Sequence, residues 1–383
     1  MKKYLILFFI LNFISSQKLT FQATMLNNLI LKSQDNICIC PISIYQVVSL
    51  VSNGAAGKTY EEIVKSLIPG REIKKNTQLL LNINNQDILR YYNAKTNIVK
   101  MVNGILTKHP LSTSFLHISK KYNALISLLE SVQQVNNWVK ENTNGKIEKI
   151  LDENRSLGNV EMILLNAIYF KSNWKYKFDT KQTSLLPFTN LNKQNKNIET
   201  MYQQFESIMY YEDEKIKMIE LPYDDNLSMI ILLPSEKYNS VKDYIRKEKE
   251  DYTLIFNKLK ETKDVKLYLP KFKIEYSSSL KESFKKMGMK LAFSSNANLK
   301  KLFSDSNLNK NIYIEDILHK TYIKIDEEGT EAASASAVII SKRGGGIEMR
   351  VNRSFLYMIK DKRIMDTNGN NMMLFIGVVN NLE

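Results

Sequence analysis

The clearest chemistry in this chain lies at Lys342-Arg343, followed by Gly344, Gly345 and Gly346. Trypsin-like proteases cut after such a residue because an acidic pocket floor holds the arginine side chain. Three glycines beyond the pair keep the far side of the bond sterically open. Before the pair runs "EEGTEAASASAVIIS", with small residues throughout Ala332 to Ala337. Read alone, that run is compatible with a helix, a strand or a linker.

Other sites of chemistry are poorly supported. "GKT" at Gly57–Thr59 lacks the glycine that a phosphate loop needs five positions earlier, where Ser52 stands, and a helix rather than a strand precedes it. The histidines are His109, His117 and His319; none lies in an HExxH pattern or in a cluster with metal-ligand spacing. No GxSxG nucleophile elbow occurs. Cys38 and Cys40 sit two apart in an apolar run without basic neighbours, which suits structural thiols rather than nucleophiles or a mutual disulfide. No cofactor, no metal and no enzymatic activity are expected.

The chain has 383 residues, 44% of them apolar and 25% charged, enough for a sizeable core. With 54 basic against 40 acidic side chains the formal net charge is +14. Acids interleave with bases, as in "IRKEKEDYTLIFNKLKETKDVK", so the excess reads as a solvated surface. Weak polyanion binding is the most this charge implies; nucleic acid is not an expected partner. Residues 1–16 have the layout of a signal peptide: Lys2 and Lys3, an apolar run from Tyr4 to Ile14, then Ser15 and Ser16. The expectation is a secreted, extracellular protein with no membrane span, whose residues 17–383 form a single domain and a monomer. Sequons at Asn154, Asn226 and Asn352 offer glycosylation sites.

The elements around these residues follow from periodicity. Helical spacing marks Phe21, Met25, Leu29 and Leu31; "ICIC" suggests a strand, and "SIYQVVSLVSNG" a helix ending near Gly54. Thr59 and Glu62 form a candidate capping box for the next helix. A further helix stops near Gly145. "VEMILLNAIYF" reads as a buried central strand, and "MIELPYDDNLSMIILLP" as a hairpin. Alternation in "VKLYLPKFKIEYS", helical period in "SLKESFKKMGMKLAF", and two closing strands, "FLYMIKDK" and "NMMLFIGVV", complete an α+β pattern.

Several of these segments together resemble the serpins, serine protease inhibitors that act by loop insertion. "NICICPISIYQVVSLVSNGAAGKTYEEI" resembles the family's second-helix region. Asn166, Phe170, Lys171 and Trp174 carry its Asn-x-x-Tyr/Phe-Phe-Lys-Gly-x-Trp segment. "LPKFKIEYSSSLKESFKKMGM", "LHKTYIKIDEEGTEAAS" and the final strands follow in family order, so the likeness covers the mature chain. Cys40, Ser172 and a missing proline near the end depart from the pattern. The resemblance implies the serpin fold: α+β, about three β-sheets, about eight or nine helices, and an exposed reactive-centre loop at about 327–350.

It also implies roles. Ser43, Asn166 and His319 would belong to the region where the central sheet opens, with Trp174 at its upper end. Glu327, Glu328, Gly329, Thr330, Glu331, Ala332, Ala333, Ser334, Ala335 and Ser336 would form the hinge. Read with a period of two, Thr330, Ala332, Ser334 and Ser336 share one face, and Glu331 falls on the other. The run lacks proline and large side chains, which suits entry into a crowded sheet. Counting fourteen residues from Gly329 places the bait bond at Arg343–Gly344, with Lys342 flanking it. The implied partner is a serine protease of trypsin-like specificity. A non-inhibitory carrier or chaperone, or an inhibitor of a dibasic-cleaving subtilisin-type protease, remain alternatives. The helix expected around "NTQLLLNINNQDILRYY", where some members collect basic residues, has only Arg90.

Overall fold

The computed structural model describes residues 19–93, 99–143, 145–158, 160–224, 226–304, 312–330, 346–365 and 371–383. The expected signal peptide, hinge residues Glu331–Ser336, and Lys342, Arg343 and Gly344 lie outside them.

Among the described residues there are eight α-helices: α1 (Phe21–Ile30), α2 (Pro41–Ser52), α3 (Gly57–Leu67), α4 (Thr77–Asn93), α5 (Thr113–Lys121), α6 (Val132–Asn142), α7 (Val241–Glu248) and α8 (Lys281–Lys286). Local chemistry explains several starts. Thr20 accepts the Ala23 N–H, Ser112 that of Phe115, Ser131 that of Gln134 and Ser240 that of Asp243. Pro41 opens α2, where a missing N–H costs nothing. The expected capping box is corrected: α3 begins at Gly57 behind Ala56, so Thr59 lies inside the helix. Thr59 Oγ1 accepts the Asn298 N–H at 3.0 Å, and Glu62 accepts those of Lys290 and Leu291. The pair caps a neighbouring segment instead of its own helix. The helical period of the 280s yields only the short α8, because Gly288 turns the chain at φ +99°.

Seven strands make the central sheet. Its order is β3 (Ala124–Leu128), β2 (Val99–Thr107), β4 (Met162–Phe170), β12 (Asp316–Asp326), β13 (Gly329–Thr330) and β5 (Ser172–Asn173), with β11 (Phe272–Ser279) on β12. β4, the expected central strand, is buried at all nine residues. Each of its large apolar side chains contributes roughly 1.5–3 kcal/mol by leaving water. Parallel pairing of β4 with β12 runs from Ile163–Asp316 to Tyr169–Tyr322.

Nine strands make the second sheet: β1 (Ile37–Ile39), β16 (Asn371–Val379), β15 (Phe355–Met365), β9 (Leu227–Pro234), β8 (Ile216–Pro222), β7 (Asn195–Glu212), β10 (Lys260–Pro270) and β14 (Ile347–Arg350), with β6 (Ser184–Thr189) on β7. The β8–β9 hairpin is the one read from the sequence. β7 spans 18 residues and pairs in turn with β6, β10 and β8. It thereby joins two strand groups, and the about three sheets expected become two hydrogen-bonded networks in the described residues. Most of the core lies between the two sheets and α1–α3, whereas a smaller apolar cluster lies under α6. That cluster holds Leu165 and Tyr169 of β4 against Leu318 and Tyr322 of β12. No helix among the described residues is long and apolar enough to cross a membrane.

Candidate functional site: a hinge at the head of the central sheet

β12 ends at Asp326, turns through Glu327 and Glu328, and returns as β13. There Gly329 pairs with Asp326 on one side and Asn173 on the other; Thr330 pairs with Ile325 and Ser172. The seam between β4 and β12 is thus closed below and parted at its head by the first two residues of a strand. Gly329 adopts φ +143°, and a Cβ there would lie 2.3 Å from the Ser172 carbonyl oxygen and 2.7 Å from Asn173 Cα. Glycine is required by both conformation and space.

Thr330 is fully buried, and its hydroxyl lies 2.9 Å from that of Tyr223. Tyr223 stacks on Trp174, with centroids 4.3 Å apart and planes at 9°. Trp174 donates from Nε1 to the Asp326 carbonyl and from its backbone N–H to the Glu328 carbonyl, each at 2.9 Å. The turn is also held by charge. Lys177 meets Glu328 at 2.6 Å, and Lys271 reaches both Glu327 and Glu199, at 3.3 and 3.2 Å. Burial opposes ionisation of Glu327, but the Thr183 hydroxyl, a backbone N–H and Lys271 outweigh it and hold the carboxyl below its usual range.

Lower in the sheet, Asn103, Asn166 and His319 stand in one row across β2, β4 and β12. The Cys40 N–H, at the start of α2, can only donate, so His319 Nε2 accepts it, at 3.2 Å. The His319 proton therefore sits on Nδ1, which donates to Asn166 Oδ1 at 2.5 Å. Asn166 Nδ2 donates to Asn103 Oδ1 at 2.6 Å and to the Ser43 hydroxyl, which itself donates to Asn103 Oδ1 at 3.2 Å. Asn103 Nδ2 passes the chain to Gln46 of α2. Burial pushes the His319 imidazole down to about 3. Protonating Nε2 would set two donors face to face.

The structure therefore brings Ser43, Asn166 and His319 into one buried network, and Trp174 together with Glu327, Glu328, Gly329 and Thr330 into another. Asn154, Asn226 and Asn352 are exposed on separate loops. Sequence reading missed Asn103, Gln46, Tyr223, Thr183 and Lys271. Asn103 alone left a signal, as a polar residue inside the apolar run "VNGIL". Cys38 and Cys40 are buried free thiols; burial pushes Cys38 up to about 11 and Cys40 upward as well, the reverse of an activated nucleophile. Of the family departures, Ser172 lends only backbone to the hinge. At the chain end, where the proline is missing, Asn36 Oδ1 accepts the N–H groups of Asn380 and Asn381. Among the described residues no group of His, Cys, Asp and Glu is placed to hold a metal. Leu79, Leu80 and Ile83 of α4 are exposed.

The family model for serpins (serine protease inhibitor) matches residues 16–382. The chain belongs to the serpin family. Serpins are not enzymes, and this serpin is not one. It is 32% identical over 364 residues to the leukocyte elastase inhibitor of Xenopus laevis, covering 90% of this chain and 93% of that one. Serine protease inhibitor 42Dd of Drosophila melanogaster is 30% identical, over 86% and 89% of the two chains. The native-state crystal structure of the thermophilic serpin tengpin superposes with a TM-score of 0.80 at 29% identity, over 96% of both chains.

Proposed function

We propose that this serpin is a secreted suicide inhibitor of trypsin-like serine proteases, with Arg343–Gly344 as its bait bond. The observation that carries the reading is the hinge: Gly329 and Thr330 already occupy the first positions of a strand between β12 and β5. A strand begun there is aimed along the seam between β4 and β12. The residues next in sequence, from Glu331 to Ala337, are small apart from one glutamate.

The reaction is the protease's own. Its serine Oγ attacks the Arg343 carbonyl carbon, the C–N bond to Gly344 breaks, and the new amine leaves with the proton delivered by the protease's histidine. Arg343 stays attached as an acyl ester. Insertion of residues from about Thr330 to Lys342 gains backbone hydrogen bonds on both edges and pulls the protease away before water can reach the ester. The inhibitor contributes the bait and a metastable sheet, and no catalytic group.

The target class is read from this chain's own residues. The frog relative is named for leukocyte elastase, whereas elastase pockets are small and Arg343 suits an acidic floor. Lys342 beside Arg343 favours a second reading, inhibition of a dibasic-cleaving subtilisin-type protease. The signal peptide at 1–16, the single mature domain at 17–383, and glycans on the exposed Asn154, Asn226 and Asn352 belong to the same proposal. Replacing Arg343 with Ala or Glu tests it. Inhibition of trypsin is expected to disappear, and inhibition that survived unchanged would show the bond to be wrongly assigned.

A further inference from the structure

At the tip of the β7–β8 hairpin the sequence "YYEDE", residues 210–214, sets two tyrosines before Glu212, Asp213 and Glu214. Neighbours on a strand project to opposite faces, and the two rings part accordingly. Tyr210 is buried, and its hydroxyl donates to Glu212 at 2.7 Å. Tyr211 is partly exposed, and its hydroxyl donates to Asp213 Oδ2 at 2.8 Å. The pairing of β7 with β10 stops at Tyr210, so among the described residues Tyr211 has a strand on one side alone, β8. Glu214 is exposed, and Glu250 adds to the negative field at the Tyr211 hydroxyl. Three lysines stand close by. Lys217 meets Glu212 at 3.0 Å, Lys215 meets Glu248 at 2.6 Å, and Lys258 Nζ lies 5.4 Å from the Tyr211 ring centroid.

Three consecutive acids after a phenol reverse the local sign of a chain whose net charge is +14. An exposed phenol can be esterified, and its surroundings decide which enzyme does so. An enzyme that transfers sulfate from an adenylyl sulfate must hold a polyanion, so its cleft is cationic. A tyrosine followed by carboxylates complements that cleft. Other tyrosines share such neighbours in sequence but not in the fold. Tyr252 follows Glu248, Glu250 and Asp251, yet it is fully buried, with its hydroxyl on the Ala23 carbonyl and Asn27. Tyr223 precedes Asp224 but is buried in the hinge stack. Tyr60 precedes Glu61 and Glu62 but stands inside α3, where Glu62 is occupied by the N–H groups of Lys290 and Leu291. Tyr211 combines the acids with an accessible ring and extended backbone.

We propose that Tyr211 is a site of tyrosine O-sulfation, modified along the secretory path by a sulfotransferase that reads Glu212, Asp213 and Glu214. Tyr211 Oη attacks the sulfur of an adenylyl sulfate donor, and the S–O bond to the donor's phosphate breaks. The phosphate leaves with the electron pair, and the phenol proton passes to a base of the transferase; nothing is oxidised or reduced. The sulfate ester keeps a negative charge that Asp213 repels, so the modified side chain leaves Asp213 and takes Lys258 as its counter-ion. The inference rests on the reading of this chain as secreted and is independent of the bait bond.

The test expresses the full chain, with its own amino terminus, in animal cells that sulfate secreted proteins, and weighs intact protein and peptides from the medium by high-resolution mass spectrometry. The expected result is a mass shift of one SO3 group on the peptide spanning residues 197–215, resistant to phosphatase and lost when chlorate blocks synthesis of the sulfate donor. Tyr211→Phe, which keeps the ring and removes the hydroxyl, should abolish the shift, and Tyr210→Phe should retain it. Secreted protein without the shift would overturn the proposal, as would a shift that survives Tyr211→Phe or one that phosphatase removes. Retention of the chain inside the cell would contradict the secretion reading and this proposal together, whereas an unmodified chain in the medium would contradict this proposal alone.

Discussion

Tyr223 and Thr330 meet hydroxyl to hydroxyl at 2.9 Å, at the point where the chain leaving β12 turns back into the central sheet. Both side chains are buried, and Trp174 covers the tyrosine ring. At this contact Gly329 and Thr330 sit between β12 and β5, and below them β4 pairs directly with β12.

That contact has a measurable weight. Tyr223→Phe leaves the buried Thr330 hydroxyl without its partner, at a cost of about 1–3 kcal/mol. Thr330→Val removes the other side of the same bond. The double variant is expected to lie closer to wild type than the sum of the single losses, measured as native-state thermal midpoints. Strict additivity would show that the two hydroxyls do not interact.

Thr330 also tests insertion. Burying a charged side chain unpaired at that position is strongly unfavourable. Thr330→Arg should therefore expel the start of the strand from the sheet in the uncleaved chain, so that insertion after cleavage begins from outside, slows, and loses to hydrolysis of the ester. The predicted outcome is conversion from inhibitor to substrate, read as a tenfold or greater rise in the moles of serpin consumed per mole of trypsin inhibited. A stoichiometry equal to wild type would contradict insertion through this face.

His319 sets a pH dependence. The folded state holds the imidazole neutral down to about pH 3, whereas the unfolded chain takes up a proton near 6.5. Between those values the unfolded state binds the extra proton, so stability falls as pH falls, by about 1.4 kcal/mol per pH unit for this group. Above pH 6.5 its contribution is constant. Thermal midpoints of the wild type should thus decline more steeply from pH 6.5 to 4 than those of His319→Gln, which cannot titrate there. Parallel profiles would show that His319 does not set the pH dependence.

Much of this was legible in the chain because it depends on local pattern. The apolar run of β4, the "YDDN" hairpin between β8 and β9, and the helical spacing of α1 and α2 each report burial by neighbours in sequence. Gly329 was legible as a hinge glycine, although its real constraint, the Ser172 carbonyl 2.3 Å from a Cβ, comes from another strand. What sequence could not supply is register. Asn103 joins the buried network because β2 pairs it with Asn166, and Tyr223 meets Thr330 across 107 residues. Thr59 and Glu62 show the same limit from the other side. The spacing of a capping box was present, but which backbone N–H groups it would meet was decided by the segment at 290–298 packed against α3.

Cleavage at Arg343–Gly344 is proposed to trap the attacking enzyme. Its most direct measurement is denaturing electrophoresis and mass spectrometry of the mature chain mixed with trypsin. A covalent complex that survives SDS is expected, together with a released carboxyl-terminal peptide beginning at Gly344. Quantitative cleavage with free, active trypsin and no complex, or a released peptide beginning elsewhere, would contradict it.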